Sequence, residues 1–145
     1  MDGQVRVSET MSKRTDQGYD RFNYLPSPKA LFKLRLFGEV VEKLIGETPY
    51  IVGSALDKPD FRDVDVRIML EDEAFERIFG GDGLWITNGA LTLANMALSA
   101  LAREISGLEI DCQIQRLTDA NAEYGGHKRQ PLGLPHTEPY VGVKA

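Results

Sequence analysis

The segment YIVGSALDKPDFRDVDVRIML, residues 50–70, predicts two strands joined by a turn. Its first part, Tyr50-Ile51-Val52, is aromatic and β-branched and stops at Gly53-Ser54, which is typical of a short buried strand that opens into a loop. From Asp63 to Leu70 apolar and charged residues alternate, and this pattern predicts a strand with one apolar and one charged face. The segment therefore indicates a sheet that is buried on one side and carries charge on the other.

Helices are predicted on both sides of this segment. Ser27 as N-cap, Pro28 in the first turn and Gly46 at the end bound a helix over 28–45. Acidic residues 71–73 precede a short helix that ends before Gly80-Gly81. A longer helix is expected from about Asn88 to Ser106, and a third strand follows over 108–115. This order predicts an α+β fold, a small mixed sheet packed against helices.

The two long helices each carry an apolar stripe that is expected to face the core. In the first helix the stripe comprises Leu31, Leu34, Phe37, Val40, Val41, Leu44 and Ile45. In the second it comprises Leu91, Ala94, Leu98, Leu101 and Ile105. In the first helix the charged residues are mostly outside this stripe: Lys33, Arg35, Glu39, Glu42 and Lys43.

Composition narrows the class of protein. The chain has 145 residues and a formal net charge of -5, which fits one globular domain and disfavours a surface that attracts nucleic acid. One cysteine, Cys112, cannot form an intramolecular disulfide and is expected as a buried thiol in a reducing, cytoplasmic compartment. No apolar run approaches a membrane span. We expect a flexible arm over 1–26, a core domain over 27–117 and an extended Gly/Pro-rich tail over 118–145.

Three acidic residues and a Gly-Ser turn form the candidate site. Asp63 and Asp65, two residues apart on one strand face, suit a shared divalent cation. Asp111, on the polar face of the third strand, is the candidate third ligand, and two such ions can clamp a phosphoryl group during in-line transfer. Gly53 lets the backbone approach a ligand closely, and Ser54 can donate hydrogen bonds to phosphate.

These residues resemble the signature of the DNA polymerase β-like nucleotidyltransferases. That signature is a Gly-Ser or Gly-Gly turn, a spacer and an Asp-x-Asp strand, followed by a third acid between hydrophobic residues on a later strand. The corresponding residues here are Gly53-Ser54, eight intervening residues, Asp63-Val64-Asp65 and then Ile110-Asp111-Cys112. The resemblance covers about residues 28–115 and implies a minimal nucleotidyltransferase fold. The spacer is short for the family, and no downstream helical domain is recognised.

The resemblance implies an enzyme and assigns roles to the site residues. Asp63, Asp65 and Asp111 would ligate two Mg²⁺ ions, which Mn²⁺ could replace, and Asp111 would also act as general base. Gly53 and Ser54 would position a nucleoside triphosphate such as ATP. A hydroxyl of an RNA, a protein or a small molecule would attack the α-phosphate, with release of pyrophosphate. A partner protein, a second subunit or the two tails would complete the acceptor site.

Simpler interpretations remain open. Asp63 and Asp65 would then be solvated acids on an exposed strand face, Gly53-Ser54 a plain turn and Asp111 a polar position of an amphipathic strand. Lys58, Arg62 and Arg67 could add positive charge near the phosphates, but Arg62 and Arg67 are interpreted first as structural partners of the acids. The alternative function is a non-catalytic nucleotide-binding or antitoxin-like protein-interaction module with a degenerate site. A nucleic-acid-binding accessory protein is disfavoured by the net charge.

Overall fold

A computed structural model describes residues 22–80 and 87–133 of the chain. Their elements, in chain order, are α1 Pro28–Ile45, β1 Tyr50–Val52, β2 Val64–Leu70, α2 Asp72–Ile78, α3 Gly89–Ser106, β3 Ile110–Arg116, α4 Leu117–Tyr124 and β4 Gln130–Pro131. A single 3-10 turn, Gly53–Leu56, follows β1. Within these residues the fold is α+β, with four helices and one mixed four-stranded sheet, as the sequence predicts.

The sheet has the strand order β3-β2-β1-β4. Strand β1 is antiparallel to both β2 and β4, whereas β2 and β3 run parallel. A parallel pair needs a long crossover connection, and α2 and α3 provide it between β2 and β3. In this register Val52 lies opposite Asp65, and Asp65 lies opposite Asp111.

The predicted helix caps are confirmed. The Ser27 hydroxyl accepts a hydrogen bond from the amide of Ala30 at 3.1 Å, and Gly46 ends α1 with a left-handed φ of 90°. The Asn88 side chain accepts from Leu91 N at 3.1 Å, and Gly107 ends α3 with a φ of 76°. Local sequence therefore sets the limits of both long helices.

The core lies between one face of the sheet and helices α1 and α3. The inward side chains of the strands are fully or nearly fully buried: Ile51, Val64, Val66, Ile68, Leu70, Ile110, Cys112 and Ile114. Burial raises the pKa of the Cys112 thiol to about 12, so the expectation of a buried structural thiol is confirmed.

The predicted apolar stripe of α1 is confirmed at five of its seven positions: Leu31, Leu34, Phe37, Val41 and Ile45 contact the core. The stripe places Val40 and Leu44 in the core, yet they are 55% and 83% exposed. The reason is Gly38, whose missing side chain leaves room for the backbone of Leu132: a Cβ there would lie 2.6 Å from Leu132 O. This close approach places Gly38 in the interior beside Phe37, and Val40 and Leu44, at the margin of the predicted stripe, face outward.

The predicted stripe of α3 is confirmed at Leu91, Ala94, Leu98 and Ile105, which contact the core, but not at Leu101. The buried Ser99 of α3 accepts a hydrogen bond from Cys112 N at 2.8 Å and donates one to Cys112 O at 3.2 Å. Asn95 Oδ1 accepts from Ile114 N at 2.8 Å. Because these polar side chains face β3, Leu101 leaves the predicted apolar stripe and is 43% exposed.

The C-terminal segment differs from the predicted extended tail. Leu117–Tyr124 forms α4, and Gln130–Pro131 pairs with β1 as an edge strand. Two anchors explain the difference: Thr118 donates to Asp72 through both its amide and its hydroxyl, and Leu132 is fully buried. The polar composition of this segment therefore did not indicate its short helix or its docked strand. Residues 134–145 lie outside the described part.

The predicted arm over 1–26 is described only from residue 22. Tyr24 N donates to Ala55 O at 2.8 Å, and Leu25 is buried in the core, so this end of the arm is docked. The remainder of the predicted arm lies outside the described residues. No helix among the described residues has the length and apolarity needed to cross a membrane.

Candidate functional site

The three strands bring the predicted site residues onto one line across the sheet. Val52, the last residue of β1, lies opposite Asp65 of β2, and Asp65 lies opposite Asp111 of β3. Gly53 follows Val52 directly, and Asp63 precedes the first residue of β2. The backbones of all three acids therefore lie close to one another, at the same end of the neighbouring strands β2 and β3.

Gly53 is required by its conformation and by its neighbour. Its φ is 80°, in the left-handed region that favours glycine. A Cβ at this position would lie 2.6 Å from Asp65 Oδ2, so any other residue here would require the carboxylate to move. The sequence predicts a close approach at Gly53 by a ligand, and the group that makes it in this structure is the protein's own carboxylate.

Asp65 is the electrostatic centre of the site. Burial raises its pKa above the usual value of 3.8, and the negative charges of Asp111, Asp63 and Glu123 raise it further. The Arg67 guanidinium acts in the opposite direction but does not cancel the rise. A carboxylate held among other acids at this cost is a candidate functional group.

Arg67 contacts Asp111, and its charge also acts on Asp65. It is 5% exposed, and its Nη1 donates to the backbone oxygens of Val66 and Asp111, at 3.0 Å each. Its Nη2 lies 3.7 Å from Asp111 Oδ2, and Gln113 Nε2 lies 3.3 Å from the same oxygen. The interpretation of Arg67 as a structural partner of the acids agrees with these contacts.

A polar cavity of about 320 Å³ opens beside Asp65. It is lined by Ser54, Lys58, Asp60, Phe61, Arg62, Asp63 and Asp65. Two cationic side chains and three carboxyl groups thus share one cavity, an arrangement suited to a phosphate group bound together with a cation. The sequence alone suggests Lys58 and Arg62 only as accessory charges near phosphate.

Asp111 lies outside this cavity. It lines a separate groove of about 480 Å³ between α3 and the edge strand β3. The other residues of the groove are Thr92, Asn95, Met96, Ser99, Ala100, Arg103, Cys112 and Gln113. The structure therefore brings Ser54, Asp63 and Asp65 into one cavity and places Asp111 in the lining of a second one.

The donor set suits magnesium in its chemistry, although it is not a closed metal cage. Within residues 22–80 and 87–133, no three Asp, Glu, His or Cys side chains are grouped closely enough to hold one metal ion. Mg²⁺ often binds through one or two carboxylates, with water and substrate phosphates completing its coordination. Asp63 and Asp65, which share the cavity, fit such a substrate-dependent site.

Sequence reasoning missed two residues near the acids. Glu123 of α4 carries a charge that raises the pKa of Asp65, and Gln113 contacts the Asp111 carboxylate. Gln113 could have been found, since it shares a strand face with Asp111 at a spacing of two. Glu123 gave no such signal, because its segment is predicted to be extended.

Comparison with known proteins identifies no relative. No family model, no curated protein and no solved structure matches the chain. The fold and the geometry around Asp65 are therefore the grounds for a function.

Proposed function

We propose that this chain is a Mg²⁺-dependent nucleotidyltransferase with the minimal nucleotidyltransferase fold. In the proposed reaction it transfers a nucleoside monophosphate from a nucleoside triphosphate to a hydroxyl acceptor and releases pyrophosphate. The observation that carries the proposal is the alignment of Gly53, Asp65 and Asp111 across three adjacent strands, beside a cavity that contains Ser54.

The cavity beside Asp65 supplies the groups that a triphosphate requires. Ser54 Oγ donates to a phosphate oxygen, while Lys58 and Arg62 neutralise the charge of the β- and γ-phosphates. Asp63 and Asp65 hold Mg²⁺, which would polarise the α-phosphate and stabilise the charge that develops during transfer. The net charge of -5 is compatible with a polyanionic substrate because the cations are local.

Asp111 is placed to act on the acceptor. It lies opposite Asp65 but lines the groove beside α3, so an acceptor hydroxyl entering by the groove meets a carboxylate. One carboxylate oxygen of Asp111 accepts the proton of the acceptor hydroxyl. The hydroxyl oxygen attacks the α-phosphate, and pyrophosphate leaves on the opposite side. Arg67 and Gln113 orient this carboxylate, and Asp111 would be a ligand of the second Mg²⁺ of the proposed pair.

The test is transfer of label from nucleoside triphosphates labelled at the α-phosphate. The full chain is incubated with Mg²⁺, each of the four triphosphates, total RNA and cell lysate. We expect label on a macromolecule or small acceptor, with replacement of Mg²⁺ by Mn²⁺ tolerated and chelation by EDTA abolishing transfer. Asp65→Asn is expected to reduce transfer at least about 100-fold, because it removes a ligand that acts in the transition state.

Asp57→Asn provides the matched control, because Asp57 is exposed in the same loop and does not line the cavity. It should leave transfer unchanged. Equal transfer by the unmodified chain, Asp63→Asn and Asp65→Asn would contradict the proposal. So would the absence of both transfer and Mg²⁺-dependent triphosphate binding, the latter measured by titration calorimetry.

A non-catalytic nucleotide-binding or interaction module is the second candidate. The observation that favours it is the contact of Arg67 with Asp111, because a guanidinium 3.7 Å from the carboxylate occupies the side where a cation would bind. In such a module, Mg²⁺-dependent triphosphate binding would persist without transfer to any acceptor. Transfer by the unmodified chain excludes this module. If the unmodified chain transfers nothing, a gain of transfer in Arg67→Met indicates a blocked enzyme, and no gain indicates a binding module.

A further inference from the structure

One side of helix α3 forms a wall of the groove beside the edge strand β3. Thr92, Met96, Ser99 and Arg103 recur at steps of three and four residues, so they share a face of α3, and all four line the groove. The groove volume of about 480 Å³ lies within the usual range of small-molecule sites, about 300–1,000 Å³. The groove is therefore large enough to hold the acceptor of the proposed reaction.

Hydrogen bonds fix how α3 lies along β3. Ser99 contacts both backbone polar groups of Cys112, and Asn95 accepts from the amide two residues later in β3. Four residues along α3, about 6 Å, thus correspond to two residues backward along β3, about 6.6 Å. A further step of four leads from Ser99 to Arg103 and ends level with the start of β3. Arg103 and Asp111 consequently lie at the same end of the groove.

Arg103 is the cation of this groove. Of the nine residues that line the groove, only Arg103 and Asp111 carry a charge. Arg103 is exposed in the last turn of α3, and its guanidinium makes no hydrogen bond or ion pair with any other described residue. The Asp111 carboxylate already has Arg67 as its cationic partner, at 3.7 Å. The guanidinium of Arg103 is therefore available to an anionic ligand that binds beside Asp111.

We propose that the acceptor is a hydroxyl compound with a phosphate group close to its hydroxyl, and that Arg103 binds this phosphate. A guanidinium binds phosphate through two parallel hydrogen bonds, which also fix the orientation of the bound group. The hydroxyl is then held at Asp111, at the same end of the groove. Met96 and Ala100 add an apolar wall for the body of the acceptor. This proposal rests on the proposed function, because it names the substrate class of the same site.

During the transfer one bond to the α-phosphorus forms and one breaks. The acceptor oxygen forms the new bond, and the bond from the α-phosphorus to the oxygen shared with the β-phosphate breaks. The acceptor proton moves to Asp111, and the electron pair of the broken bond leaves with pyrophosphate. The product is a phosphodiester that keeps the phosphate of the acceptor. A requirement for that phosphate distinguishes this acceptor from an uncharged hydroxyl compound.

The first test removes phosphate from the acceptors. Total RNA and cell lysate are treated with alkaline phosphatase, with ribonuclease, with both or with neither. Both enzymes are removed before the full chain, Mg²⁺ and a triphosphate labelled at the α-phosphate are added. Loss of labelling after phosphatase identifies a phosphate monoester as the acceptor, and loss after ribonuclease identifies the phosphodiester of an RNA end. Either result supports the proposal. Labelling that survives both treatments together overturns it and leaves the proposed function intact.

The second test is the kinetics of Arg103 variants with the acceptor isolated from the labelled fraction. Arg103→Met is expected to lower kcat/KM for this acceptor about 10- to 100-fold, mainly through KM, because it removes charge-assisted hydrogen bonds. The KM for the triphosphate should stay the same, since Arg103 lies outside the cavity beside Asp65. Arg103→Lys keeps the charge without the two parallel bonds and should restore part of the loss.

Arg77→Met is the matched control. Arg77 is exposed in the last turn of α2, as Arg103 is in α3, and it lines neither the groove nor the cavity beside Asp65. It should leave both KM values unchanged. Equal KM values for the acceptor in the unmodified chain and in Arg103→Met overturn the proposal while transfer itself persists. If the unmodified chain transfers no label, the proposed function fails, and this proposal fails with it.

Discussion

The two faces of the sheet carry alternate residues of the same strand but differ in what they do for the fold. Toward α1 and α3, β2 presents Val64, Val66 and Ile68, all fully or nearly fully buried. Toward the other face it presents Asp65 and Arg67, which are also shielded from solvent to different extents. The apolar face stabilises the protein, whereas the charged face holds a carboxylate at a cost. Because side chains alternate between the two faces, the seven residues of β2 contribute to the core on one side and to the candidate site on the other.

The largest effect should come from the apolar face. Phe37→Ala removes a fully buried side chain and is expected to lower the free energy of unfolding by about 3–5 kcal/mol. Ile78→Ala, on an exposed position of α2, should change it by less than about 0.5 kcal/mol. Urea denaturation followed by circular dichroism measures both. Comparable losses in the two variants would contradict the placement of the core.

A smaller effect on stability is expected at Gly53, which lies beside Asp65 of the charged face. Gly53→Ala should lower the free energy of unfolding by about 2 kcal/mol, from backbone strain and from contact with Asp65 Oδ2. Gly46→Ala is the control, because its φ of 90° also demands strain but no atom lies within 4 Å of a Cβ there. It should cost only about 1 kcal/mol.

The excess at Gly53 should depend on the carboxylate. In an Asp65→Ala background the cost of Gly53→Ala should fall to that of Gly46→Ala, giving a coupling energy of about 1 kcal/mol. Additive costs would show that the Asp65 carboxylate does not occupy the space beside Gly53.

The charged face predicts a pH dependence of definite sign. The pKa of Asp65 is raised in the folded state, chiefly by burial, so its ionisation favours unfolding. The unmodified chain therefore loses stability from this group as the pH rises from 3.8 through the raised pKa. Asp65→Asn should unfold at a higher urea concentration than the unmodified chain at about pH 7. That advantage should shrink below pH 3.8, and Asp57→Asn should show neither effect.

The smallest effect, of opposite sign, is expected at an exposed carboxyl. A hydrogen bond from the Thr118 hydroxyl, 2.5 Å long, holds the pKa of Asp72 below 3.8. Its stabilisation is present above pH 3.8 and is lost as the pH falls through the lowered pKa. Thr118→Val should slightly lower the urea midpoint at about pH 7 and have no effect at the acidic limit. An equal shift at both pH values would contradict this coupling between α2 and α4.

Local signals made most elements predictable. Ser27, Asn88, Gly46 and Gly107 define helix ends through contacts within a few residues, and alternation defined β2 and β3. The outward side of α1 was not predictable, because Gly38 meets Leu132, a residue far along the chain. Long-range contacts of this kind have no local pattern.

The candidate site also has some features that local sequence predicts and others that depend on long-range contacts. The shared side of Asp63 and Asp65 followed from a spacing of two. The alignment of Asp65 with Asp111 depends on the parallel pairing of β2 with β3, which no local pattern specifies. The contact of Asp65 with Gly53 and the charge of Glu123 depend on how separate segments pack, so only the structure reveals them. The catalytic roles of the three acids stay predictions.

The side chains of α3 that contact β3 also protect this edge strand from pairing with a strand of another molecule. Ser99 and Asn95 occupy the outward amides of Cys112 and Ile114, which an invading strand would otherwise use. At the opposite edge β4 is two residues long and contains Pro131, which has no amide hydrogen to offer. Both edges of the described sheet are therefore poor templates for the addition of a further strand. This disfavours fibrillar aggregation of a chain whose strands are rich in β-branched residues.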